Sequence, residues 1–175
     1  MHPAGCVAPI ACSGSCSPRA SGASGRAGCT TTACGSRASP SPWSLDSGKP
    51  LEPAILEELR VALSARYGVR FDSAGFNLYR DGRDSVAWHA DRIEEEIVDP
   101  VVALISLGEP RRFLMRPRGG GPSIPFRLGR GDLLVTGGSA QRTWEHCVPK
   151  VARAGPRISV AYRHGLDPRA YAGRK

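Results

Sequence analysis

The sequence predicts a mainly β domain with one flanking helix, built as a sandwich or jelly roll. Three observations predict it. Eight short apolar runs follow one another beyond residue 70, each bounded by turn residues. One stretch before them has helical periodicity instead. No apolar run reaches the roughly 18–20 residues that span a bilayer, so no membrane partner is expected. The 175 residues suit one such domain.

The helix is expected over Pro50–Tyr67. Ile55, Leu56, Leu59, Ala62 and Leu63 recur at helical spacing, with Glu57, Glu58 and Arg60 elsewhere on the wheel. Pro53 suits a first turn, and Gly68 suits a stop. Strands are expected at Phe71–Tyr79, Ser85–Asp91, Val101–Leu107 and Arg112–Arg118, then at Ser123–Leu128, Leu133–Thr136, Thr143–Pro149 and Arg157–Arg163. The breakers include Asp81-Gly82, Asp99-Pro100, Gly129-Arg130-Gly131 and Gly155-Pro156. Gly119–Gly121 lacks a following Gly-Lys-Ser/Thr and reads as a hairpin loop, not a phosphate cradle. Many short strands at near-regular spacing favour a double sheet with a mouth where several strands converge.

Residues 1–42 are different in kind. Ala, Ser, Gly, Pro and Cys fill 32 of the 42 positions, and five of the six cysteines lie there. The run Val7–Cys12 is too short for a signal peptide and contains a proline, and no Lys or Arg precedes it. No cysteine pair has CxxC spacing and only His2 could add nitrogen, so zinc is not expected. With almost no large apolar residue to bury, this segment reads as a disordered tail and residues 43–175 as the domain. The absence of a targeting signal is read as cytoplasmic location.

Chemistry concentrates on a few residues. His89 and Asp91, two apart on an expected strand, share a face and can hold one metal, with His146 as third ligand from a strand far along the chain. Two histidines and one carboxylate match the facial triad of non-haem iron(II) sites. A structural His–Asp pair competes evenly on those residues alone. The last strand puts Arg157, Ser159, Ala161 and Arg163 on one face. Two inward arginines are costly unless they meet anions, and guanidinium grips carboxylate in two-pronged fashion. Arginines reaching solvent from an edge strand are the competing reading. Asn77 and Tyr79 share a face and offer an amide and a phenol. His164 is expected in solvent, and Cys147 as a small buried residue.

The order Asn77, Tyr79, His89, Asp91, His146, Arg157, Arg163 resembles the full NxY…HxD…H…Rx5R signature of the AlkB-type iron(II)- and 2-oxoglutarate-dependent nucleic-acid dealkylases. The segments NLYRDGRDSVAWHAD, LISLGEPRRF, GDLLVTGG and PRISVAYR are similar to that family too, over roughly residues 50–165. The resemblance implies a double-stranded β-helix (jelly-roll) core. It implies that His89, Asp91 and His146 are catalytic and hold Fe(II), and that Asn77, Tyr79, Arg157 and Arg163 hold 2-oxoglutarate. Arg157 is favoured for the distal carboxylate and Arg163 for the chelating end. With O2, the reaction implied is oxidative demethylation of an alkylated base, releasing succinate, CO2 and formaldehyde. The base must be single-stranded or flipped. A monomer is expected.

Charge agrees with a nucleic-acid partner. The net charge is +8, and residues 50–175 hold 20 of 24 Lys/Arg and 15 of 16 Asp/Glu. Arg111, Arg112, Arg116, Arg118, Arg127 and Arg130 surround one expected hairpin and could contact phosphates; a solvated basic surface weighs equally.

The sequence departs from the family at two places. An acidic residue that helps read the base stands two places after the iron Asp in well-studied members; here Ile93 stands there, beside Glu94–Glu96. The family's N-terminal lid carries a stacking aromatic, and residues 1–42 contain no Phe, Tyr or Trp. A shifted frame of Gly28–Ser39 permits Met-Tyr-Asp-Asp-Gly-Val-Arg-Val-Pro-Arg-Leu, a lid-like string, so this tail is expected to be an out-of-frame translation of the lid. Two alternatives remain: the same oxygenase chemistry on RNA, protein or a small molecule, or a lidless, non-catalytic nucleic-acid-binding domain.

Overall fold

A computed structural model describes residues 39–165, with side chains from Trp43 onward. The expectations for residues 1–38 therefore lie outside the described residues. Pro53 has φ −68° and ψ 161°, an extended conformation, and the helix α1 (Ala54–Tyr67) starts immediately after it. The expected start at Pro50 is too early, because a proline pushes the residue before it out of the helical region. Gly68 takes φ 66° and ends the helix as expected. Leu56, Leu59 and Leu63 face the core, whereas Ile55 is 54 % exposed and Ala62 also faces solvent.

All eight expected strands form, with ends shifted by a residue or two. They are β2 (Ser73–Tyr79), β3 (Val86–His89), β4 (Val101–Gly108), β5 (Arg111–Pro117), β6 (Ile124–Leu128), β7 (Leu133–Gly137), β8 (Trp144–Val148) and β9 (Arg157–Arg163). Three elements were not expected, one of them a 3-10 turn at Leu45–Ser47. A strand β1 (Ser39–Ser44) runs across the boundary drawn at residue 42, and a one-turn helix α2 (Ala140–Thr143) leads into β8. Alternating Ser-Pro-Ser-Pro hides β1 from a propensity reading. Proline cannot donate to a ladder, and β1 is an edge strand, where that loss is tolerated.

The strands form two antiparallel sheets, a five-stranded β1-β2-β9-β4-β7 and a four-stranded β3-β8-β5-β6. This is the jelly-roll arrangement the sequence predicts. β9 lies at the centre of the larger sheet, with Arg157 opposite Tyr79 and Gly108, and Ser159 opposite Asn77 and Ser106. One face of that sheet presents Ala74, Ala103, Ile105, Val160 and Tyr162 to α1, Leu51 and Phe71. The other face looks toward the smaller sheet, where Tyr79 and Leu134 pack with Phe113, Met115, Leu128 and Val148. The larger sheet is thus packed on both faces, and the polar side chains of β9 lie on the one that meets the smaller sheet.

Tyr162 ties α1 to the sheet. It is fully buried, its ring lies 6.3 Å from that of Phe71, and its hydroxyl donates to the Leu56 carbonyl at 2.9 Å. Burial, reinforced by Glu57 and opposed by Arg60, pushes its pKa up to about 12. The unfolded phenol loses its proton near pH 10, while the folded one holds it. Stability is therefore complete below pH 10 and is lost as pH rises toward 12. Urea unfolding across that range will show the decline, and Tyr162→Phe will make it shallower.

Candidate metal centre

The strands β3 and β8 pair with His89 opposite His146. β3 ends at His89, so Asp91 does not reach the site by strand alternation. It lies in the following coil, and Arg163 of β9 holds it: Nε donates to Asp91 Oδ1 at 2.9 Å, with side chains 10 % and 8 % exposed. One ligand atom from each of His89, Asp91 and His146 falls within 4.8 Å of the others. Among the described residues no other group of three such side chains does so.

The protonation states suit a cation. Burial alone would raise the Asp91 pKa. The Arg163 guanidinium, His146 and His89 together outweigh it and hold the carboxyl at about 2. Burial is the main influence on His146 and, with His89 and Arg163, outweighs Asp91 and pulls the imidazole down to about 4. At neutral pH the site therefore offers a carboxylate and a neutral imidazole. The Nδ1 atom of His89 lies 2.9 Å from the Ala87 carbonyl; a proton placed there leaves Nε2 as the metal-facing lone pair. His146 stacks on Phe113 at 5.1 Å, and its ring centroid is 4.2 Å from that of His89.

A second polar centre lies at the other end of β9. Arg157 is 1 % exposed, and its Nε donates to the buried Ser106 Oγ at 2.8 Å. Its Nη1 and Nη2 atoms are buried without a hydrogen-bond partner. The guanidinium lies 5.1 Å from the Tyr79 ring centroid. Tyr79 is itself buried and its phenol pKa is raised, with burial outweighing Arg157, Ser159 and Arg111. Asn77 is half-buried on the same face, opposite Ser159. Unpartnered buried donors are expensive, and two on one cation ask for a two-oxygen anion.

Residues 9–165 match a family model described as the 2OG-Fe(II) oxygenase superfamily. The chain belongs to that superfamily. It is 33 % identical over 126 residues to the human alpha-ketoglutarate-dependent dioxygenase alkB homolog 3, covering 66 % of this chain and 44 % of that protein. It is 34 % identical over 150 residues to the DNA oxidative demethylase ALKBH2 of Arabidopsis thaliana, covering 71 % and 46 %. The chain thus spans less than half the length of these curated relatives. The solved structure of OsALKBH1 shares the fold at a TM-score of 0.52 and 20 % identity, over 66 % of this chain and 65 % of that one. The AlkB-type resemblance read from the motifs is borne out.

The two cofactors of a 2OG-Fe(II) oxygenase fit what this chain offers. His89, Asp91 and His146 have the donor set and spacing of a ferrous site. The bare Nη atoms of Arg157 fit a carboxylate. Arg111 corrects an expectation. It is not a surface cation but is 2 % exposed, and it donates to the Asp81, Asp84 and Pro149 carbonyls at 2.8–3.0 Å. Arg116 is also engaged, with Glu145 at 2.5 Å, so Arg112, Arg118, Arg127 and Arg130 are the exposed remainder. His164, expected in solvent, is half-buried.

Sequence reasoning missed Ser106, Arg142 and the structural part of Arg111 in this chain. Arg142 of α2 donates to the Glu94 and Glu95 carbonyls at 3.3 and 3.2 Å, and also to that of Ile97. It thereby ties the loop after Asp91 to the helix leading to His146. A lone serine inside the apolar run Val101–Leu107 was the available signal for Ser106.

In the metal-free protein the His146 ring will titrate near pH 4 by NMR. An unfolded histidine takes its proton near 6.5, well before the folded one does. Stability will therefore fall as pH drops from 6.5 toward 4. A His146→Gln variant will lose that part of the acid dependence.

Proposed function

We propose that the chain is a Fe(II)/2-oxoglutarate-dependent dioxygenase that oxidatively demethylates alkylated bases in nucleic acid. The observation that carries this reading is the pairing of two features in one cleft. A His-Asp-His cluster within 4.8 Å sits beside Arg163 at one end of β9, and the buried Arg157 guanidinium, with two unpartnered nitrogens, lies at the other end of that strand. The names of two relatives, a DNA oxidative demethylase and an alpha-ketoglutarate-dependent dioxygenase, support the substrate and the cosubstrate. The exposed Arg112, Arg118, Arg127 and Arg130 support a polyanionic partner.

In this reading His89, Asp91 and His146 hold iron. Asn77, Tyr79, Arg157 and Arg163 hold 2-oxoglutarate, with Arg157 taking the distal carboxylate. Bound together, the two cofactors let O2 convert 2-oxoglutarate to succinate and CO2 and hydroxylate an N-methyl group, which leaves as formaldehyde. The protein supplies position and dryness. Arg163 fixes the Asp91 carboxylate in its ionised, ligating form. Phe113 packs against the His146 ring, and with Met115 it lines the cleft with apolar surface that keeps water from the reacting centre. A base must leave its stack to enter, so single strands or flipped bases are the accessible substrates. The loop Ile93–Glu96, which follows the iron carboxylate in the chain and is anchored by Arg142, is the segment this reading assigns to the base.

The test is an assay of succinate and formaldehyde release with a methylated single-stranded oligonucleotide. Equal release of both products is expected, and His89→Ala or His146→Ala will abolish it. Near-wild-type turnover in either variant overturns the iron assignment. Succinate without formaldehyde moves the substrate elsewhere. Neither product, with the oligonucleotide still bound, makes the chain a binding domain.

A second variant separates the cosubstrate from the metal. Arg157→Met will raise the KM for 2-oxoglutarate by roughly 10- to 100-fold, the loss of one or two charged hydrogen bonds. Metal affinity, measured by calorimetry, will stay unchanged.

A further inference from the structure

The histidines of the cleft have an unremarked support on the opposite face of the smaller sheet. Arg116 of β5 sits opposite Glu145 of β8 and donates from Nε to its Oε1 at 2.5 Å. The same guanidinium reaches past β8 and lies 4.0 Å from the ring centroid of Trp88 on β3. The strand order is β3-β8-β5-β6, so β3 and β5 are not neighbours, and Arg116 bridges them. Glu145 and Trp88 each directly precede an iron-site histidine, His146 and His89. Alternation turns the histidines into the cleft and leaves the brace behind them.

Such a brace has a task here. β3 is an edge strand held by only two register pairs, Val86 with Val148 and His89 with His146, with an irregularity between them. Backbone pairing alone therefore fixes His89 weakly. Arg116 and Glu145 are partly withdrawn from water, at 27 % and 18 % side-chain exposure, which strengthens both the ion pair and the cation–π contact. Only a planar guanidinium can donate along its edge while its face covers an indole.

We propose that Arg116 is a positioning residue for the metal centre, acting through Trp88 and Glu145 to fix the separation of His89 and His146. The proposal rests on the iron reading of that cluster. Residues behind a metal's ligands commonly change its affinity by 10- to 100-fold when lost.

Mn(II) alone is the probe, titrated into the whole chain and followed by calorimetry and Trp emission. Arg116→Met is expected to weaken Mn(II) binding at least tenfold, while 2-oxoglutarate affinity at saturating Mn(II) stays within twofold. Glu145→Gln is expected to weaken it less. Arg116→Lys is expected to recover only part, since an ammonium cannot both stack and donate in that geometry. A folded Arg116→Met protein with Mn(II) affinity within twofold of the parent overturns the proposal. So does an equal loss of 2-oxoglutarate affinity, the mark of general loosening. Should Arg116→Met not fold, Glu145→Gln decides by the same criteria. A parent chain that binds no Mn(II) overturns the iron reading, and this proposal with it.

Discussion

The bond from Arg163 to Asp91 is the contact on which the cleft depends. It joins the central strand of the larger sheet to the coil that follows β3 in the smaller one, across 72 residues of sequence. Both side chains are nearly buried. A carboxylate in that position without its guanidinium would take up a proton or pull in water. With it, the carboxyl stays ionised to about pH 2, and the His89 and His146 rings converge on it, with burial pulling His146 down to about 4. The ion pair need not add net stability, since burying two charges costs about what their attraction returns. Its contribution is to fix which atom of the coil faces the two histidines.

That arrangement works because β9 serves two faces at once. Ile158 aside, every side chain of the strand is buried. Val160 and Tyr162 close the core under α1, while Arg157, Ser159 and Arg163 face the cleft. Neighbours on both sides carry the same division, with Ser106 and Gly108 on β4 and Asn77 and Tyr79 on β2. Gly108 is required by its surroundings: φ is 91°, and a Cβ there would lie 2.4 Å from the Pro156 carbonyl oxygen. The apolar face can be packed for stability without disturbing the polar face, because alternate residues do not compete for the same space.

Much of this was legible in the sequence, though not always for the right reason. The eight strands could be read because Gly, Pro and Asp break the chain between apolar runs. His89 and His146, expected on two separate strands, stand opposite each other on β3 and β8. Asp91 was found through strand alternation, yet β3 stops at His89 and it is Arg163 that places the carboxylate. A periodicity argument cannot see a cross-sheet ion pair. Arg111 and Arg116 were counted with the surface cations because charge counting carries no burial. The alternation of β5 held the missing information: Arg111, Phe113 and Met115 share one face, and Arg112, Leu114 and Arg116 the other. Strand β1 was hidden by its prolines, and its pairing to β2 is decided by tertiary contact, not propensity.

The two arginines of β9 divide the labour along the strand. Six residues of extended chain put about 20 Å between their Cα atoms. Arg163 spends its Nε on Asp91 and a second nitrogen on the Ala161 carbonyl, so its charge is committed at the metal end. Arg157 spends Nε on Ser106 and keeps both Nη atoms unpartnered at the other end. Burial makes that guanidinium's charge costly, and Arg111 beside the same Tyr79 ring adds to the cost. A dianion resolves the imbalance in a way a neutral ligand cannot. The unpartnered guanidinium nitrogens therefore lie at the Arg157 end of β9 and the committed ones at the Asp91 end, so the two arginines of one strand face are not equivalent.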